Sequence, residues 1–331
     1  MKKLLYLLPF ITGILMACGN VKKSESAAAD SQTVQIGPSF QADSAYAFCA
    51  AQCAFGPRVM NSDAHQQCGE WIAQQFQRFG MTVTKQQADL KGYDGTILKS
   101  TNIIAAYHPE REERVLLCAH WDSRPWADND ADSSNWKKPV LAANDGASGI
   151  AVLLEIARLL QQADSVAVGV DFVCFDAEDW GTPQWSKSGD DSDSWALGAR
   201  YWANHPHTPG YTARYGILLD MVGGQGAQFY QEGVSLRYAQ SVVNMVWSAA
   251  QALGYGSYFI SDEGGMITDD HVPVNQIANI PTIDIIPYHP DCSQSSFGPT
   301  WHTVHDDMEH IDKNTLQAVG QTLIQVLYNE K

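Results

Sequence analysis

Three apolar runs constrain this chain more than any other feature: RVLLCAH at 114–120, the stretch 166–175, and YGILLDM at 215–221. Strands that are apolar on both faces must be covered on both faces, which is the condition of a buried, mostly parallel sheet. Helix-patterned sequence lies between these runs. Apolar residues recur at Ile150, Leu153, Leu154, Ala157 and Leu160, and that spacing predicts a helix over 148–162. Further helices are predicted over 43–55, 62–79 (ended by Gly80), 195–204, 236–253 and 313–328, with strands over 82–90, 101–107 and 281–286. The alternation implies the α/β class: a single globular domain whose central, mostly parallel (mixed) twisted sheet is flanked by helices on both faces.

Size and charge fit that picture. The chain has 331 residues, 45% of them hydrophobic, enough for one large core, and shows no internal repeat or second linker after about residue 41. A formal charge of -16 disfavours nucleic acid, which needs a basic face. Lys2-Lys3 followed by apolar residues to Leu15 has the charged and apolar regions of a bacterial export signal, too short for a spanning helix. Leu15-Met16-Ala17-Cys18 resembles a lipobox, so the expectation is a signal peptide over 1–17 and a lipidated Cys18. A flexible tether would follow to residue 40, and the α/β domain would fill 41–331. Such a protein is exported to the periplasm and held at a membrane through Cys18; the alternative is plain cleavage near Ala17 with no anchor. In that compartment the clustering of Cys49, Cys53 and Cys68 allows a disulfide, whereas Cys118 and Cys174, inside apolar runs, read as buried thiols.

Ligands of open α/β sheets bind outside the carboxyl ends of the strands. Polar residues gather at those ends: His120 and Asp122, then Asp176 to Asp179, then Asp220. Beside them stand AANDGASG (142–149), TDDH (268–271) and WHTVHDD (301–307). A carboxylate after an apolar strand is ordinarily just solvated, so no single segment decides anything. Together they offer Asp and His, both suitable zinc ligands, and a catalytic zinc takes three protein ligands with one open position. No phosphate loop, nucleophile elbow or dinucleotide fingerprint competes. Asp128, Asp130 and Asp132 lack the Gly and Glu of a calcium loop and read as a solvated loop. Trp121, Trp126, Trp136, Trp180 and Trp202 read as packing or loop anchors, and His205, His207, His289, His305 and His310 as surface or capping residues. His271, beside two carboxylates, is open to a structural or a catalytic role.

The order H-x-D, N-D-G, E-D, D and a late His resembles the co-catalytic zinc aminopeptidases. Within that superfamily the chain is more similar to the animal-type zinc glutaminyl cyclases (glutaminyl-peptide cyclotransferases) and their bacterial lipoprotein relatives. The residues that carry this are Phe297 ahead of Trp301-His302, the DD that follows, Trp185-Ser186 after Glu178-Asp179, and Asp269-Asp270-His271. The resemblance covers about residues 45–328 and implies that Asp145, Asp179 and His302 hold one zinc. It implies Glu178 as the acid/base, Asp220 and Asp269 as its carboxylate network, and Trp185, Phe297 and Trp301 as pocket walls. His120 and Asp122 would be supporting residues, Asp122 orienting a neighbour. Where the animal cyclases usually have Glu-Glu, this chain has Glu178-Asp179, so one ligand arm is a methylene shorter.

The implied reaction converts an N-terminal Gln of a peptide or protein to pyroglutamate with release of ammonia. An aminopeptidase with two zinc ions is the main alternative, because His120, Asp145, Asp179, Asp220 and His302 form a complete two-metal ligand set. The remaining reading is a non-catalytic surface lipoprotein that reuses the fold for binding.

Overall fold

The computed structural model describes residues 35–163, 166–186 and 191–331; the expected export signal, Cys18 and most of the expected tether lie outside the described residues. Among the described residues, eight strands and seven α-helices follow one another. They are α1 (Ala42–Cys53), α2 (Asp63–Arg78), β1 (Thr82–Lys91), β2 (Ile97–Tyr107), β3 (Arg114–His120), α3 (Ala147–Gln162), β4 (Gly169–Phe175) and α4 (Leu197–Asn204). After these come β5 (Tyr215–Leu219), β6 (Phe229–Gln231), α5 (Gly233–Ala252), β7 (Phe259–Glu263), α6 (His271–Gln276), β8 (Thr282–Ile285) and α7 (Lys313–Asn329).

Six strands form the main sheet in the order β1-β2-β4-β3-β5-β8. The four central and late strands run parallel, and the β1–β2 hairpin adds an antiparallel edge. Alternation within β3 shows why the parallel strands read as unbroken apolar runs. Val115, Leu117 and Ala119 join one core with Ile72, Leu153, Val246 and Leu323. Leu116 and Cys118 face the other way, against Ala199, Trp202 and Val274. Helices α1, α2, α3, α5 and α7 thus cover one face and α4 and α6 the other. Each Leu or Val so buried contributes roughly 1.5–3 kcal/mol.

Most differences from the sequence reading have local causes. β2 begins at Ile97, not 101, because a turn over Gly92–Thr96 pairs Lys91 with Ile97 and extends the hairpin. β4 begins at Gly169, not 166, because Arg111 draws the carbonyls of Val166 and Val168 away from the ladder. The short pair β6–β7 and the six-residue α6, which contains Pro273, carry too few residues for a readable period. The cysteine expectation is corrected: Cys49, Cys53 and Cys68 are free thiols, buried in the core, and Cys49 donates to the Ala143 carbonyl at 3.1 Å. Cys118 and Cys174 are buried and free.

Chain order places the functional residues. From β3 the chain crosses by α3 to β4 on one side, and β5 then returns to the other side of β3. The sheet therefore reverses its winding between β3 and β5, the position at which open α/β sheets form a crevice at their carboxyl ends.

Candidate active site

At that crevice, His120 ends β3, Asp176–Asp179 follow β4 and Asp220 follows β5. Asp145 stands just ahead of α3. Gly146 caps this helix at φ 107°, where a side chain would strike the Asp122 carbonyl and the His120 ring. The turn that carries Asp145 is held from two sides. Asp306 accepts the Asn144 and Asp145 amides at 2.7 and 3.0 Å, and buried Arg58 donates to the carbonyls of Leu141 and Ala142. In the turn after β4, the amides of Glu178 and Asp179 donate to the Asp122 carboxylate, both at 3.1 Å, and that carboxylate faces His120 Nδ1 at 3.6 Å. Four non-glycine residues beside these groups are left-handed: Ala142, Ala177, Met221 and His302, with φ between 50° and 58°. Strain of that kind persists where surrounding contacts over-determine the backbone.

Two donor sets result, and they share Asp145. In the first, ligand atoms of Asp145, Asp179 and His302 lie within 4.8 Å of one another; in the second, those of His120, Asp145 and Asp220 do. His302 Nε2 is 3.2 Å from Asp179 Oδ1 and 3.5 Å from Asp145 Oδ2. Asp145 Oδ2 and both Asp179 carboxylate oxygens are buried without a hydrogen-bond partner. Buried unpaired carboxylate oxygens are costly, and a divalent cation satisfies them, so the first set fits zinc. The second set closes on itself, because His120 Nε2 reaches Asp145 Oδ1 at 3.0 Å and Asp220 Oδ1 at 3.2 Å. Burial works against a charged His120, yet Asp122, Asp145 and Asp220 raise its pKa well above the usual value.

Glu178 is 8% exposed and opens into a cavity of about 450 Å³, with Asp220 and Asp269 beside it. Burial raises the Glu178 pKa well above the carboxylate range, and Asp179 and Asp269 add to the effect. Burial, reinforced by Asp269, pushes Asp220 up to about 7. Trp195, Phe297, Trp301, Met266 and Ile286 supply the cavity's apolar wall. Trp301 stacks on the His302 ring at 3.7 Å between centroids, and Phe297 packs against Trp301 at 4.9 Å.

Three expectations need correction or completion. Trp185 does not line this cavity: it is 41% exposed, its ring set against Trp126 and Trp136. Trp195 takes the wall position instead, brought there by the Ala196 amide, which donates to the Glu178 carbonyl at 3.1 Å. Asp128 and Asp130 are buried rather than solvated. Asp128 forms a two-pronged ion pair with Arg124, and Asp130 accepts the amides of Asp132 and Val304. Arg58, Asp306, Arg124 and Trp195 were not singled out from sequence. The readable signals were the first Asp of the DD after His302 and the Arg four residues before Asp128. His271 is fully buried with Nε2 3.1 Å from Glu232, and its ring lies in a third cluster of possible ligand atoms with Asp269 and Asp284.

Known proteins share this architecture. A glutaminyl cyclase of Bacteroides thetaiotaomicron, crystallised with N-acetylhistamine, is 53% identical. It superimposes with a TM-score of 0.87 over 89% of this chain and 100% of its own. A Zn-dependent exopeptidase of Parabacteroides distasonis matches equally well, at 53% identity, TM-score 0.87 and the same two coverages. The glutaminyl-peptide cyclotransferase of Gloydius blomhoffii is 26% identical over 67% of this chain and 63% of its own length. The chain spans about half to two thirds of the length of the first curated relatives it matches. Residues 102–327, more than half of the chain, match the description Peptidase family M28, and the chain belongs to that family.

Proposed function

We propose that the chain is a zinc-dependent glutaminyl-peptide cyclotransferase that binds one zinc through Asp145, Asp179 and His302. The observation that carries the single-metal reading is the unequal state of the two donor sets. The first leaves three buried carboxylate oxygens without a hydrogen bond, whereas His120 hydrogen-bonds both carboxylates of the second. The similarity to glutaminyl cyclases at 53% identity supports the choice of reaction.

Zinc held there supplies a Lewis acid for the γ-carbonyl of an N-terminal glutamine. The substrate's own α-amine is the nucleophile, and its pKa near 7.7–8.0 leaves roughly a tenth to a sixth of it neutral at pH 7. Glu178 takes a proton from the amine as the C–N bond forms and delivers one to the departing NH2 group, so pyroglutamate and ammonia are the products. A carboxyl raised toward neutrality suits a group that must both accept and donate. Trp195, Phe297 and Trp301 hold the short side chain folded onto its amine, which favours a five-membered ring over attack by water. Asp122 acts at one remove by fixing the amides of Glu178 and Asp179.

A two-zinc aminopeptidase is the second reading, favoured by the complete five-residue donor set and the similarity to a zinc-dependent exopeptidase. Metal analysis with two assays separates them. We expect about one zinc per chain and ammonia release from an N-terminal Gln dipeptide; two zinc ions with hydrolysis of a Leu peptide and no ammonia would establish the peptidase instead. Export and lipid attachment at Cys18, giving a periplasmic membrane-anchored enzyme, remain part of the proposal on sequence grounds, and mass spectrometry of the mature N-terminus tests them.

A further inference from the structure

The cavity wall ends at Trp195, and behind that ring lies a buried charge pair that the reaction does not use. Arg124 is 1% exposed, its guanidinium set between the rings of Trp126 and Trp195 at 5.4 and 4.7 Å. Two of its nitrogens grip Asp128, Nε to Oδ1 at 2.9 Å and Nη2 to Oδ2 at 2.7 Å. The third, Nη1, donates to the carbonyls of Asp179 and Gly181, both at 3.1 Å, and lies 3.6 Å from Asp179 Oδ1. The partner carboxylate turns the other way. Asp128 Oδ1 faces His302 Nδ1 at 3.5 Å, and the neighbouring Asn129 amide donates to the His302 carbonyl at 3.0 Å.

We propose that Arg124 and Asp128 form one positioning unit that sets two of the three zinc-binding arms, Asp179 and His302; the inference rests on the zinc reading above. Its physical basis is different at each arm. An Asp arm is a methylene shorter than a Glu, so its carboxylate lies where the backbone puts it. The backbone at 178–179 is clamped by Asp122 on its amides and by Arg124 on its carbonyl. At His302 the contact is electrostatic, since Nδ1 makes no hydrogen bond: the Asp128 charge 3.5 Å away favours the ring proton on that nitrogen and the lone pair on Nε2, where the metal would bind. A guanidinium is the side chain that can hold a carboxylate with two nitrogens while a third serves two carbonyls; an ammonium cannot reproduce that fork.

The test compares Asp128→Asn and Arg124→Lys with wild type in the full chain, loaded with zinc. Zinc affinity is measured by competition with a chromophoric chelator, and turnover of a Gln dipeptide at saturating zinc. Both variants should bind zinc on the order of 10–100-fold more weakly. Saturating zinc should restore occupancy without restoring kcat, while KM for Asp128→Asn stays within about twofold, because Asp128 does not line the cavity. A general loss of packing would lower thermal stability of the zinc-stripped chain and leave zinc affinity alone, and that pattern overturns the proposal. If Arg124→Lys does not fold, the isosteric Asp128→Asn decides, and wild-type zinc affinity in it likewise overturns the proposal. A wild-type chain that holds no zinc sinks the zinc reading and this one together; wild-type zinc with unchanged variants sinks this one alone.

Discussion

Glu178 is ringed by charge of its own sign, with Asp179 next in the chain and Asp220 and Asp269 lining the same cavity. That crowding makes the residue expensive to keep ionised and useful as a proton carrier. Replacing it by Gln keeps the shape and removes the proton transfer proposed for it. Turnover of a Gln dipeptide by Glu178→Gln should fall about 10²–10⁴-fold with zinc content unchanged; kinetics beside metal analysis check this, and wild-type kcat would remove Glu178 from the mechanism. Much at this scale was readable. Asp145, Asp179, Glu178, His120 and Asp220 are polar residues placed where apolar strands end or a helix opens, a pattern visible in one dimension, whereas His302 lies in the loop between β8 and α7 and was named through the family resemblance. The choice between Trp185 and Trp195 was not. Both lie in one loop, and what selects Trp195 is a backbone bond from Ala196 to Glu178 together with Gly181, whose missing side chain leaves room for the indole. Asp128 was misread for a related reason: its neutralising partner lies four residues away, and only the folded loop shows that both are buried.

Among the elements, α5 has the most demanding start. Its cap is Glu232, 2% exposed, which accepts the amides of Val234 and Ser235, the Ser235 hydroxyl and the Ile267 amide, with His271 Nε2 at 3.1 Å. This cap moves the helix start from the expected 236 to Gly233, and a Glu in that position gave no sequence cue because Ser, Thr, Asp and Asn are the usual caps. Burial alone would raise the Glu232 carboxyl, but His271 and the two amides bring it down from 4.5 to about 2. The unfolded chain then binds more protons than the folded one at acidic pH, so stability falls as pH falls. The contribution is complete above about 4.5, shrinks between 4.5 and about 2, and is absent below that window. A shift of this size corresponds to roughly 3 kcal/mol. Glu232→Gln retains an acceptor but cannot ionise, so it should be less stable than wild type at pH 7 and approach it as pH drops toward 2. Urea unfolding midpoints at pH 7, 5, 4 and 3 test this; parallel curves at every pH would remove the ionised cap from the account.

Across the whole molecule, the fold class was legible because periodicity survives in one dimension: strands buried on both faces read as apolar runs, and amphipathic helices read at 3.6 residues. What joins distant segments was less legible, and the donor set is the extreme case. Its ligands come from the turn before α3, the turn after β4 and a loop between β8 and α7, so they are brought together only when the whole sheet has formed. A metal at that point cross-links three regions and relieves the repulsion between Asp145 and Asp179, which are buried together. Bound as proposed, it would hold the native chain and find no assembled site in the unfolded one, so removing it would lower stability by mass action. With free zinc at about a thousand times its dissociation constant the difference is about 4 kcal/mol, on the order of 5–10 °C in Tm for a domain of this size. Thermal unfolding of the zinc-loaded chain should therefore shift downward on chelation and recover on adding zinc back. Asp179→Ala, which removes one arm of the set, should unfold near the temperature of the stripped wild type and respond to neither treatment. Equal midpoints for loaded and chelated wild type would mean that Asp145, Asp179 and His302 do not bind the metal in the folded chain.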